Sequence, residues 1–373
     1  MDSGRTESRF SRKASDLTNQ QRGRTPILES VIPAISPQDP QVGHRARSYL
    51  AGLAKPVDSL GRIEGIAVRL ASISGHVPGP ILNRPALAVF AADHGVVVES
   101  LSNWSHEATA HAIDHFETGS ASVSVLARSL GFTLTVVDVG VDGDMSRVRS
   151  VVHRKIANGT NNMVEGPAMS QADAEAAFSV GMEVANRLLD TGHNLLAVGD
   201  LGVGNSTSAS AVLCALTTAR PSLATGRGSG IDDAEYSRKV ATVRSSLDRF
   251  RSAHGDDCEP WTVLRELGGF ETAALAGFMI AAAARSVPIV VDGLVTLTAA
   301  LVADRLASNL RHHLIAGHRS TEPGSTIILD HLDIDPILEL DLRLGEGSGA
   351  AMAIPIVQAA AALMHDMSPE LAV

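Results

Sequence analysis

An α/β fold is what this sequence predicts: a three-layer, Rossmann-like parallel sheet with helices on both faces. Three observations carry that expectation. Short, continuous apolar runs alternate with longer Ala-rich segments of helical spacing, the pattern of strand–helix units whose strands are buried on both faces. Aromatic residues are 3% of the chain against 45% hydrophobic, so the core is built from small aliphatic side chains rather than the aromatic bulk of a β-sandwich. The 373 residues suffice for a large core or for more than one domain, and they exclude wholesale disorder at this composition.

The first 25 residues differ from the rest. Six basic residues (Arg5, Arg9, Arg12, Lys13, Arg22, Arg24) stand against three acids (Asp2, Glu7, Asp16) with almost nothing apolar between them. That composition predicts a disordered tail, and the acids count against a transit peptide. The apolar runs then follow in order. Residues 86–92 (ALAVFAA), 133–139 (TLTVVDV), 194–198 (NLLAV) and 288–291 (PIVV) read as buried strands, and 326–329 (TIIL) as a fifth. Residues 171–189 and 272–284 have helical spacing. The most apolar stretch, 273–303, is interrupted by Arg285, Pro288 and Asp292, which favours a buried helix–strand–helix over a membrane span.

Ligands of such sheets bind outside the carboxyl ends of the strands, so function is sought just after each run. Residues 86–92 lead into Asp93-His94-Gly95, which reads either as an acid–base pair or as an Asx turn closed by glycine. Residues 194–198 lead into Gly199-Asp200-Leu201-Gly202-Val203-Gly204-Asn205-Ser206-Thr207 and then a helical segment. Glycines let the backbone approach a ligand, and free N–H groups at a helix start attract phosphate or carboxylate. The segment is neither a P-loop nor a GxGxxG fingerprint. A second glycine cluster, 226–230, precedes Arg238 and Lys239, cations suited to an anionic ligand. Residues 288–291 end in Asp292-Gly293, and 318–324 form a polar loop. Last comes Glu346 between Gly345 and Gly347 at the start of a small-residue helix. The helix dipole would stabilise its carboxylate, and burial would push its pKa the other way.

Other classes are disfavoured. A net charge of −10 argues against nucleic-acid binding. Glu107, His111 and His115 share one helix face at i, i+4, i+8, but without a matched third ligand this reads as a solvated face, so no metal and no cofactor is expected. Two cysteines, Cys214 and Cys258, make no disulfide framework, and no secretory segment opens the chain. A cytoplasmic protein with no membrane partner is the expectation.

From about residue 50 to 367 these segments together resemble the nicotinate-nucleotide–dimethylbenzimidazole phosphoribosyltransferase family. The resemblance rests on Ala92-Asp93-His94-Gly95-Val96, Gly159-Thr160-Asn161-Asn162, Gly202-Val203-Gly204-Asn205-Ser206-Thr207, Gly226-Arg227-Gly228-Ser229-Gly230, Leu267-Gly268-Gly269-Phe270-Glu271, His318-Arg319-Ser320 and Leu342-Arg343-Leu344-Gly345-Glu346-Gly347. So many collinear motifs are far more specific than any one of them.

The resemblance implies a division into a tail (1–40), a small helical domain from 41–85 and 350–373, and a large α/β domain (86–349). It implies a likeness of function too: transfer of 5-phosphoribose from nicotinate mononucleotide to 5,6-dimethylbenzimidazole or a related base, inverting C1′, by a homodimer. Glu346 would be the general base. Ser102, His111 and Leu344 would line the acceptor pocket. Asp200, Gly202, Gly204, Asn205, Ser206, Gly228, Ser229, Lys239 and Ser320 would contact the nucleotide, its phosphate or nicotinate. Two departures stand out. Asp200 takes the place of a family Glu, and in the acceptor half His111 replaces a Gln and Ser105 a Pro. The alternatives are a paralogue with another acceptor base, or a nucleotide-binding regulator without turnover.

Overall fold

The computed structural model describes residues 31–99, 107–228, 230–255 and 259–369. Its strands are β1 (Pro85–Ala92), β2 (Thr133–Gly140), β3 (Val151–His153), β4 (Leu195–Leu201), β5 (Ile289–Val291) and β6 (Leu314–Ala316). They form one parallel sheet in the order β3–β2–β1–β4–β5–β6. Strand order reverses between β1 and β4, which creates the crevice in which ligands of doubly wound sheets bind. The helices are α1 (Pro40–Ala51), α2 (Arg62–Ser74), α3 (Ala108–Glu117), α4 (Ser122–Leu130), α5 (Gln171–Asp190), α6 (Asn205–Leu216), α7 (Pro221–Ala224), α8 (Asp233–His254), α9 (Pro260–Leu267), α10 (Phe270–Ala284), α11 (Leu294–Leu306), α12 (Pro323–Leu332) and α13 (Ser348–Asp366).

Strand β1 is buried at every position, which is why its sequence carries no alternation. Its side chains still divide between two cores. Ala86, Ala88, Phe90 and Ala92 point to the face covered by α5, α6, α10 and α11. Leu87, Val89 and Ala91 point to the face covered by α1, α2, α4 and α13. Hence the helices expected to form a separate small domain share one core with this sheet face. The N-terminal boundary also differs from the expected tail: Ile35 is only 4% exposed and packs into the first core, so residues before 40 already belong to the fold. Residues 1–30 lie outside the described residues.

Four expected strands coincide with β1, β2, β4 and β5. The fifth does not: residues 326–329 lie inside helix α12. Pro323 occupies the first turn and Ile328, Leu329 and Leu332 face inward, a helical spacing that a four-residue apolar run cannot reveal. The sheet instead ends on β6, and β3 adds its other edge; each is three residues long. The 273–303 stretch is buried as α10, β5 and α11. Among the described residues only α13 is long and apolar enough to cross a membrane, and 56% of that stretch is buried, as in a core helix. Cys214 is a buried free thiol on α6, and Cys258 lies outside the described residues.

The tightest packing lies between α5 and α10. A Cβ on Gly181 would sit 1.7 Å from the Ala274 carbonyl oxygen, and one on Gly277 would sit 2.1 Å from the Phe178 oxygen. The two helices meet backbone to backbone, which only glycine allows. Gly181→Ala is therefore expected to destabilise the protein by about 1–3 kcal/mol or more, the usual range for overpacking. Urea unfolding reads this directly: the midpoint should fall with the slope unchanged. An unmoved midpoint would mean that the helices are further apart.

Candidate active site

The loops after β1, β4, β5 and β6 meet at the carboxyl edge of the sheet around a cavity of about 310 Å³. Asp93, left open by the sequence as a chemical group or a turn, ties the connections after β1, β2 and β4 together. Its carboxylate accepts hydrogen bonds from the Thr109 hydroxyl, from the Asp142 N–H (2.8 Å) and from the Val203 N–H (3.2 Å). His94 turns away to a buried ion pair, with its Nε2 3.1 Å from Glu271 Oε1. Burial opposes the imidazolium, yet the Glu271 charge wins and holds the His94 pKa above its ordinary value. Burial likewise raises Glu271, but His94 outweighs it and the net shift is downward.

Residues 345–347 form a turn with three successive left-handed backbones: Gly345 at φ 81°, Glu346 at 60° and Gly347 at 80°. The region suits glycine, and a glutamate there stores of the order of 1 kcal/mol of strain. The turn is held by the Glu346 N–H donating to the Asp200 carbonyl (2.9 Å) and by its seat on Gly199. Glu346 thus stands at the end of β4 beside Asp200. Burial, and then the Asp292 charge, push its carboxyl up to about 7. Asp200 is raised well above the usual carboxylate range by burial and then by Asp292, Glu271 and Glu346, with only an Asn205 amide bond (2.9 Å) opposing. A half-buried carboxylate titrating near neutrality is poised to accept a proton.

A second group of residues lines the same cavity and has the opposite character. Lys239, on α8, is buried and reaches Ser206 Oγ at 3.0 Å and the Gly226 carbonyl at 3.1 Å. Burial lowers its pKa, and Glu322 opposes that. Gly228 adopts φ 55° and donates its N–H to Glu322 Oε1 (2.7 Å), while the Glu322 N–H donates to Ser320 Oγ (3.3 Å). Helix α6 starts at Asn205 with no side-chain cap, so its positive end opens beside Lys239 and Ser206. A lysine, two hydroxyls and an uncapped helix start are suited to a phosphate.

The structure brings together Asp200, Gly202, Gly204, Asn205, Ser206, Gly228, Lys239, Ser320, Leu344 and Glu346 around this one cavity. Leu344 is at its mouth, 54% exposed. His111 does not join them. It is exposed on α3, which turns Ala108, Thr109 and Ala112 to the cavity; at 100° per residue His111 falls outside that face. Ser102, Ser105 and Ser229 lie outside the described residues. Sequence reasoning gave no role to Asp292, Glu271 or Glu322. The strand-end rule pointed at Asp292 by position, but the partners of all three are remote in the chain.

A phosphoribosyltransferase family model matches residues 35–371. The nicotinate-nucleotide–dimethylbenzimidazole phosphoribosyltransferase of Desulforudis audaxviator is 44% identical over 343 residues, 92% of this chain and 96% of its own length. That of Chloroflexus aurantiacus (strain ATCC 29366 / DSM 635 / J-10-fl) is 42% identical, covering 92% of this chain and 96% of its own. The crystal structure of CobT from Thermus thermophilus superposes with a TM-score of 0.84 at 39% identity, covering 88% of this chain and 97% of that one.

The carboxylate cluster has a consequence for stability. Asp200 and Glu346 hold their protons to higher pH folded than unfolded. Their contribution is fully present below the ordinary carboxylate values and is lost as pH rises through the folded ones. His94, also raised, has the same sign, whereas Glu271, lowered, loses its contribution only on acidification. The Glu346 contribution should therefore lower the melting temperature of the ligand-free protein as pH rises from the ordinary carboxylate range to about 7, with Asp200 adding in the same direction. Asp200→Asn should melt above the parent at the alkaline end and approach it at the acid end. A difference independent of pH would show that Asp200 is not strained by charge.

Proposed function

The chain belongs to the nicotinate-nucleotide–dimethylbenzimidazole phosphoribosyltransferase family, and we propose that Glu346 is the general base of its reaction. The enzyme moves 5-phosphoribose from nicotinate mononucleotide to 5,6-dimethylbenzimidazole with inversion at C1′, giving α-ribazole 5′-phosphate and nicotinate. A ring nitrogen of the acceptor forms the new bond to C1′. The bond to nicotinate breaks, and its electron pair neutralises the pyridinium nitrogen. The acceptor's second nitrogen must shed one proton, and that proton goes to Glu346.

One observation carries the assignment: a carboxylate in a strained turn, facing the cavity, whose pKa is pushed up to about 7. A base with that value is about half ionised at neutral pH and still strong enough to take a proton. Asp200 at its side holds the turn, its carbonyl accepting the Glu346 N–H, while burial and neighbouring carboxylates favour the protonated form of its own side chain. Lys239, Ser206, Ser320 and the Gly228 loop hold the phosphate, supported by the lysine–hydroxyl arrangement at the start of α6. Leu344 and the small face of α3 border the acceptor. A regulator without turnover would have no use for a strained, basic carboxylate at this point. The family resemblance supports a cytoplasmic homodimer.

Glu346→Gln is expected to lower kcat by roughly 10²-fold or more while nicotinate mononucleotide still binds. Full turnover in that variant would remove Glu346 from the role. Lys239→Met, which keeps the bulk and removes the charge, should weaken donor binding by about 1.5–3 kcal/mol, the range for a hydrogen bond to a charged group. Isothermal titration with nicotinate mononucleotide measures it. Unchanged donor affinity would move the phosphate elsewhere.

A further inference from the structure

Glu346 sits immediately before the N-terminus of α13, where free N–H groups and the helix dipole ordinarily stabilise a carboxylate in its ionised form. Those groups are already taken. The Ser348 N–H returns to the Gly345 carbonyl (3.0 Å), and the Ala351 N–H to Gly347 (2.8 Å). The Ala350 N–H donates to Asp292 Oδ1 at 2.9 Å, and the Gly349 N–H also points at Asp292. The Glu346 N–H goes to Asp200. No described residue donates a hydrogen bond to the Glu346 carboxylate. Asp292 itself is 0% exposed at the end of β5, and its Oδ2 has no hydrogen-bond partner.

We propose that Asp292 is a positioning residue for Glu346. It caps α13 from the neighbouring strand, takes the N–H groups that would otherwise hold Glu346 ionised, and sets a buried negative charge behind it, so that the base keeps its affinity for a proton. This inference rests on the reading of Glu346 as the base. It also answers the conflict between dipole and burial at this turn: the dipole is used by Asp292, and burial prevails.

The other charged groups around the pair come from every packed element. Asp200 ends β4, and Glu271 lies on α10 with its charge turned to His94. His318, 2% exposed, brings Nε2 to 3.5 Å from Asp292 Oδ1. Lys239, Glu322 and Arg343 line the far side of the cavity. The direction of the Glu346 shift, with Asp292 the one charge that adds to burial, agrees with the geometry.

The test is the pH dependence of transfer from saturating nicotinate mononucleotide to saturating 5,6-dimethylbenzimidazole. Asp292→Asn can still accept the Ala350 N–H, so it removes charge and leaves the cap. Its acid limb should move to lower pH by about one unit or more, the effect of one buried like charge, with a lower plateau because the base is weaker. Asp292→Glu, which keeps the charge, should leave the limb near the parent's position. A folded Asp292→Asn enzyme with an unmoved limb would overturn the proposal.

If Asp292→Asn fails to fold, infrared titration of the Glu346 carboxyl in the parent and in Asp292→Ser, assigned by difference from Glu346→Gln, decides. The midpoint should be lower in Asp292→Ser, a smaller side chain without the charge whose hydroxyl can still accept the Ala350 N–H, and an equal midpoint in parent and variant overturns the proposal. The two readings fail separately. A fully active Glu346→Gln enzyme removes the base, whereas an inactive one with an unmoved Asp292→Asn limb removes only Asp292.

Discussion

Between Gly199 of β4 and the Glu346–Gly347 backbone there is no room for a side chain. A Cβ at 199 would lie 2.4 Å from the Gly347 nitrogen and 2.5 Å from the Glu346 carbonyl carbon. This approach lets the last loop rest directly on the sheet, with Leu87 of β1 beneath Gly347. Because the seat is backbone on backbone, the turn has little freedom to slide, and the Glu346 N–H finds the Asp200 carbonyl. The chemistry at the end of β4 therefore depends on a missing side chain three residues before Gly202. Strand, turn and helix α13 move together or not at all.

The cavity joins two electrostatic regimes. On one side, carboxylates crowd together, with His94 beside Glu271 and His318 beside Asp292 as their basic partners. On the other, Lys239 is held among hydroxyls and carbonyls with Glu322 as its counter-charge. A doubly wound sheet separates the two by construction. The carboxylates come from β4, β5 and the turn before α13, whereas the cation comes from α8, reached only after α6 and the glycine cluster. A substrate with an anionic end and an end that becomes cationic fits such a divided site.

Much of this was legible in the sequence because it is written in local pattern. The apolar runs at β1, β2, β4 and β5 identify buried parallel strands, the strand-end rule then leads to Asp200 and the Gly202–Ser206 loop, and Glu346 is marked by the glycines on either side of it. What escaped was either too short or too remote. Strands β3 and β6 are three residues each, below any period. The 326–329 run has the composition of a strand, yet Pro323 and the inward spacing of Ile328, Leu329 and Leu332 make it helix. His111 was placed on a helix, as observed, but the face of α3 turned to the cavity is set by packing and not by spacing from Glu107. The partners of Asp292 and Glu271 lie 58 and 177 residues away, at Ala350 and His94. Only the folded chain joins them.

The left-handed backbone of Glu346 bears on how such an enzyme could decay. A glycine at that position would relieve the torsional strain, and loss of the carboxylate would ease the repulsion from Asp292. The opposing term, the greater freedom of an unfolded glycine, is of similar size to the strain alone. A chain reading Gly-Gly-Gly from 345 to 347 would thus fold about as well as this one while lacking the base proposed above. Folding alone therefore does not demand a glutamate here. A library sorted only for heat resistance would be free to lose this glutamate.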